Sequence, residues 1–178
     1  KEEHVLSHLA DARGILQADG YKGYAKLYAP QSDGPPRLRE AACWAHLRRD
    51  FHDFWTSTKS EIAREALDRI GEFYDIERDI NGQSAEARLA ARQRLSRPRV
   101  AAFFDWSEQQ LLRIPGKSDL AKAFRYGLSR RDAFSLFLSD GRVAIDNNPA
   151  ERALRPIGIG RKNWLFAGAD TGAETLAR

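Results

Sequence analysis

Two carboxylates stand where chemistry could be built. Asp19 closes the short apolar run Gly14-Ile15-Leu16-Gln17-Ala18, and Glu151 lies three residues after Asn148 at the start of a helical pattern. A carboxylate at the carboxyl end of a buried strand occupies the place where open α/β sheets bind their ligands. Asp19-Gly20 also has the composition of a plain turn, and that reading stays open. Glu151 has a structural alternative too, because a Glu three residues after an Asn cap is what a helix start prefers. A carboxylate engaged with a ligand is less free to reach back to its own cap.

Cations accompany the second acid. Arg152, Arg155, Arg161 and Lys162 fall within eleven positions that contain no acid, and Trp164 and Phe166 follow. Guanidinium forks match phosphate oxygens and aromatic rings offer stacking surfaces, which together suit a nucleic acid. A solvated face with two core aromatics accounts for the same residues. Arg88, Arg92, Arg94, Arg97 and Arg99 form a second basic cluster that could follow a DNA backbone or simply face water. Cys43-Trp44-Ala45-His46 lacks the CxxC or HExxH partner that a closed zinc site needs. His4 and His8 share a face only if that end is helical. Gly116-Lys117-Ser118 imitates the end of a phosphate loop, but Leu111 stands where its first glycine belongs.

The elements that must position these residues are legible from periodicity. Gly14–Ala18 reads as a strand, Tyr21–Tyr28 as a short helix and Pro30–Pro36 as a loop. Arg39–Trp44 reads as a second strand, followed by a basic helix from His46 to Trp55. This repeated strand–turn–helix rhythm defines an α/β unit. From about Ser57 to Ser139 the pattern is wholly helical. Ile62, Ala66, Ile70, Phe73 and Tyr74 make one stripe, and Val100, Phe103, Phe104, Leu111 and Ile114 another. Ser84 caps a helix that Pro98 is expected to interrupt. Ser118 caps a helix carrying Leu120, Ala121, Phe124 and Leu128, and Ser129 opens one more, closed by Gly141. Arg142–Ile145 reads as extended. Asn148-Pro149 begins the last helix, and Gly158-Ile159-Gly160 reads as a bend.

Composition bounds the class of protein. The 178 residues suffice for one domain with a sizeable core, and 42% are apolar. A surplus of 29 Lys+Arg over 25 Asp+Glu permits a nucleic-acid partner without demanding one. A single cysteine excludes an internal disulfide and fits a reducing compartment. No apolar run is long enough to span a membrane. The chain opens on Lys-Glu-Glu, contains no methionine and stops within a helical pattern, as an excerpt of a longer protein would.

Three segments, taken together, are more specific than any single residue. They are Leu16-Gln17-Ala18-Asp19-Gly20-Tyr21, Cys43-Trp44-Ala45-His46-Leu47-Arg48-Arg49, and Asp140-Gly141-Arg142 through Asp146-Asn147-Asn148-Pro149-Ala150-Glu151-Arg152-Ala153-Leu154-Arg155-Pro156. In order and spacing these resemble transposases of the insertion sequence 66 family, and Gly160-Arg161-Lys162-Asn163-Trp164-Leu165-Phe166 extends the match. The resemblance implies a partial RNase H-like domain of α/β class with a large all-helical insertion. Residues 1–56 and 140–178 would belong to the catalytic core, and residues 57–139 to the insertion.

The resemblance further implies a DDE triad in which Asp19 is the second acid and Glu151 the third. The first Asp would precede Lys1, because Asp11 lies on the wrong element. The isolated chain is therefore expected to be inactive. Loss of the preceding strands, which leaves the Asp19 strand with an open edge and an uncovered apolar face, is expected to make it poorly stable. The implied cofactor is Mg²⁺ or Mn²⁺, held by Asp19 and Glu151. The implied partners are transposon-end and target DNA, contacted by Arg152, Arg155, Arg161 and Lys162, with His46 as an active-site neighbour. A homo-oligomer acting at the bacterial nucleoid, in the cytoplasm and away from membranes, completes the expectation. Two other readings remain: an RNase H-like nuclease that cuts without joining, and a catalytically dead remnant that binds DNA.

Overall fold

The structure, a computed structural model, describes residues 7–20, 22–30 and 35–163. Strand β1 (Gly14–Ala18) pairs in parallel with β2 (Leu38–Ala42), in a register that sets Gly14 opposite Leu38 and Ala18 opposite Ala42. A parallel pair needs a crossover rather than a hairpin, and the 3-10 helix Lys22–Tyr28 forms part of it. The second strand ends two residues earlier than its apolar run suggests. Cys43 occupies the N-cap, and helix α1 (Trp44–Thr58) begins at once. The amide of Trp44 donates to the Ile145 carbonyl at 3.2 Å, so it is withdrawn from the ladder with β1.

Helices fill the stretch that follows: α2 (Glu61–Asp79), α3 (Ala85–Ala91), a π turn (Arg92–Ser96), α4 (Arg97–Leu111), α5 (Asp119–Ser129), α6 (Arg131–Ser135) and a 3-10 turn (Leu136–Leu138). Ser60, Ser84 and Ser118 each accept a hydrogen bond from the amide three residues on, satisfying a donor that the helix start leaves without a partner. Ser129 does not open a helix as expected. It ends α5, and its hydroxyl donates to the Tyr126 carbonyl.

Pro98 does not interrupt the helix either. The π turn ahead of it carries an Arg97 amide to Arg92 carbonyl bond, five residues back, and this wider ring accommodates the missing proline donor.

Trp44 sits at the centre of the core. Its ring meets Phe73, Phe103 and Phe134 edge-on, at centroid distances of 4.9, 5.4 and 4.9 Å. Its indole N–H donates to the Phe134 carbonyl at 2.9 Å, so the one polar atom of a fully buried tryptophan is satisfied. Phe51 and Phe124 continue the cluster at 5.0 Å. The helical stretch therefore packs on α1, the helix that leaves the sheet, through one shared core.

One arginine of the second basic cluster, read from sequence as facing DNA or water, belongs to this interior. Arg92 is fully buried and forks onto both oxygens of Glu77 at 2.7 Å. It cannot touch a DNA backbone, because the core surrounds it. Two neighbours in that cluster are also paired with acids: Arg88 with Glu77 at 3.6 Å, and Arg99 with Glu72 at 3.0 Å.

The chain divides into two compact units, Lys1–Asp146 and Asn147–Arg178. Within the second, helix α7 runs from Asn148 to Asn163. The bend expected at Gly158-Ile159-Gly160 is absent, and α7 runs through all three residues. Pro156 lies inside α7 and removes the bond to the Arg152 carbonyl.

Candidate functional site

Asp19 follows the last residue of β1 and is exposed. The turn after it is specified by sterics. Gly20 takes φ of +79°, and a Cβ there would lie 2.6 Å from the Tyr126 hydroxyl. That hydroxyl donates to the Asp19 carbonyl at 3.1 Å, so α5 fixes the backbone at the acid. Burial pushes the Tyr126 hydroxyl up to about 12, which keeps it a donor at neutral pH. The Asp-Gly turn is therefore real, and it presents the carboxylate at the carboxyl edge of the sheet.

Because β1 and β2 are parallel, their carboxyl ends share that edge. Helix α1 starts from it, placing half-buried His46 on the first turn beyond β2, the strand that neighbours β1. Asp50 stands one turn further along. Burial raises its carboxyl above the ordinary range, and Asp53 adds to the rise, while His46 and Arg49 pull it down. Asp50 and Asp53 line a cleft of about 540 Å³ together with Asp119, Lys122 and Tyr126.

The segment leading out of the first unit forms no strand, contrary to the extended reading of Arg142–Ile145. It is held residue by residue instead. Arg92 Nη1 donates to the Val143 carbonyl at 2.8 Å, and Gln17 Nε2 to the Ala144 carbonyl at 2.8 Å. The Trp44 amide holds the Ile145 carbonyl, and the Tyr74 hydroxyl donates to Asp146 Oδ2 at 3.0 Å. Asp146 is buried, and it contributes after burial to raising the Tyr74 hydroxyl.

Glu151 belongs to the second unit and is exposed in the first turn of α7. Its amide donates to the Asn147 carbonyl at 3.0 Å. The helix thus begins at Asn148 itself, which moves the cap back to Asn147, and Glu151 falls one position beyond the place of a capping-box acid. Arg152 and Arg155 are exposed on the same helix, and Arg161 and Lys162 lie in its last turn. Trp164, Phe166 and His4 fall outside the described residues. The sequence-derived residues thus form two groups, Asp19 with His46 at the sheet edge and Glu151 with the basic residues on α7. Among the described residues, no group of three or more His, Cys, Asp or Glu is arranged to hold a metal ion. No described helix is long and apolar enough to cross a membrane.

The sequence assigned no role to Gln17, Tyr126 or Asp146, placed Tyr74 only in an apolar stripe, and put Arg92 in a solvated or DNA-following cluster rather than in the core. For Arg92 a signal existed. The apolar stripe of α4, followed backward from Val100 in steps of four, passes through Ser96 and Arg92, both buried. Gln17 and Asp146 lay inside the quoted motif segments but carried no pattern of their own.

A model of the transposase IS66 family matches residues 1–175, and the chain belongs to that family. Among its relatives are two uncharacterized proteins of Sinorhizobium fredii. One, y4qI, is 42% identical over 97% of this chain, and the other, y4hP, is 40% identical over 98%. A third from the same organism, y4jD, is 40% identical over 95%. The chain spans about a third of the length of these relatives, 32%, 34% and 33% respectively. No solved structure matches it.

Proposed function

We propose that this chain is catalytic region of a DNA transposase, with residues 1–56 and 140–178 forming part of an RNase H-like core around a helical insertion at 57–139. The observation that carries the reading is the placement of Asp19. In a member of the IS66 family, an exposed carboxylate stands at the carboxyl edge of a parallel sheet, its backbone fixed by Tyr126. Glu151, exposed and beyond the capping-box position, is the partner acid.

The donor chemistry fits a hard divalent cation. Two carboxylates supply oxygen ligands, and Mg²⁺ commonly keeps water or phosphate oxygens in its other positions. Bound Mg²⁺ or Mn²⁺ supplies Lewis-acid stabilisation of the oxygens exchanged at phosphorus. Asp19 and Glu151 would hold the cation, and a further acid from the rest of the protein would complete the set. Arg152, Arg155, Arg161 and Lys162 would grip the DNA backbone, and His46 would orient a ligand or touch the scissile phosphate. In the first reaction water displaces the 3′ oxygen at the transposon end. In the second the freed 3′-hydroxyl forms a new bond to a target phosphorus, whose own 3′ oxygen leaves.

The test is strand transfer by the intact protein on pre-cleaved ends and target DNA. Asp19→Asn and Glu151→Gln should each abolish joining while DNA binding persists. Near-normal joining by either variant refutes the assignment. Hydrolysis without joining by the unmutated protein would identify a nuclease instead.

A further inference from the structure

We propose that Gln17 and Tyr74 are positioning residues that anchor the segment leading into the Glu151 helix, an inference that rests on the reading of Asp19 and Glu151 as the two acids. Four consecutive residues, Val143 to Asp146, are each held by a group from a different element: the π turn, β1, α1 and α2. An irregular surface segment ordinarily leaves such groups to water. Here the chain just before Asn147, where the second unit starts, is sewn to the sheet and to the helical stretch.

Gln17 and Tyr74 differ from the other two anchors. Trp44 contributes a main-chain amide, and Arg92 is already committed to Glu77. Gln17 stands on β1 two residues before Asp19, so the strand that carries one acid also grips the segment leading to the other. Tyr74 packs its ring against the aromatic core and directs its hydroxyl to Asp146. Burial and the Asp146 charge keep that hydroxyl protonated, so it donates throughout the neutral range.

The helical stretch thereby acquires a function in the reaction: through Tyr74 it anchors the segment that precedes the acid following it in sequence. Catalysis is sensitive to such placement, because a displacement of about 1 Å can cost on the order of 100-fold in rate.

The experiment uses the intact protein with Tyr74→Phe, Gln17→Leu, Asp146→Asn and Asp146→Ala. Each is assayed for end binding, thermal midpoint, and strand-transfer rate as a function of Mg²⁺ concentration. The expected result for Tyr74→Phe is unchanged end binding, a small change in midpoint and a rate lower by about tenfold or more. Its half-saturating Mg²⁺ concentration should rise as well. Asp146→Asn, which still offers an acceptor to Tyr74, should retain more activity than Asp146→Ala. Wild-type rate and Mg²⁺ dependence in both Tyr74→Phe and Gln17→Leu, with Glu151→Gln inactive, overturn the positioning role and leave the acid assignment standing. Loss of activity only in proportion to loss of folded protein overturns it too. Activity in Glu151→Gln itself removes the reading beneath.

Discussion

Replacing Arg92 by Met should be among the most damaging single changes available in the helical stretch. The Arg92 side chain has no solvent exposure, and its guanidinium bonds both Glu77 oxygens at 2.7 Å. It also reaches the carbonyls of Phe137, Asp140 and Val143 at 3.1, 3.2 and 2.8 Å. Methionine would replace much of the packing against Phe137, whose ring lies 5.2 Å from the guanidinium carbon, but none of the donors. Breaking a buried ion pair costs about 3–5 kcal/mol, mainly through the charge left behind. Each carbonyl deprived of its donor adds on the order of 1 kcal/mol. Glu77 keeps a weaker partner in Arg88 at 3.6 Å and retains 12% exposure, which offsets part of the loss.

The net expectation is about 4 kcal/mol, a large fraction of the roughly 5–15 kcal/mol that holds a domain together. With a urea slope of about 2 kcal/mol per molar, the midpoint should fall by roughly 2 M. The fluorescence of buried Trp44 and Trp106 reports the transition. Combining Glu77→Gln with Arg92→Met removes the stranded charge but leaves the three carbonyls unsatisfied, so the double variant should recover part of the loss. A midpoint shift below about 0.5 M for the single variant, or a double variant no more stable than the single, would refute the reasoning.

Two further outcomes follow from the turn beside this clamp. A Cβ at Gly141 would lie 1.8 Å from the Ala85 carbonyl oxygen, so Gly141→Ala must displace either the turn or the start of α3. A loss of about 2 kcal/mol or more is expected in the same urea assay, and an unchanged midpoint would contradict the close approach. Hydrogen bonds from the Arg142 side chain and amide hold the Asp140 carboxyl down to about 2. A carboxyl depressed on folding stabilises the fold above its unfolded value of about 3.9, and the contribution disappears as pH falls through about 2. Arg142→Ala should raise the Asp140 midpoint in an NMR titration. An unmoved midpoint would show that the pairing is not what depresses it.

Local chemistry was readable in the chain because it depends on near neighbours. The β1 run, the Asp19-Gly20 turn, the Ser84 and Ser118 caps and the apolar stripes of α2 and α4 all follow from periodicity and capping within a few residues. The motif order was likewise enough to reach the family to which the chain belongs. Sequence reasoning went astray where a distant partner overrode a local preference. Trp44 left the strand pattern because its amide and indole find Ile145 and Phe134. Pro98 was absorbed because the preceding turn widened, and Arg92 turned inward because Glu77 and three carbonyls surround it.

The amino-acid sequence by itself determined which residues are acids at element ends and which helices have an apolar face, since both are properties of short stretches of chain. Only the tertiary structure decided that Gln17, Trp44, Tyr74 and Arg92 converge on Val143–Asp146. Those partners are separated by 51 to 127 residues, and a hydrogen bond between groups so far apart leaves no trace in local pattern. It exists because folding around a shared aromatic core brings them within about 3 Å.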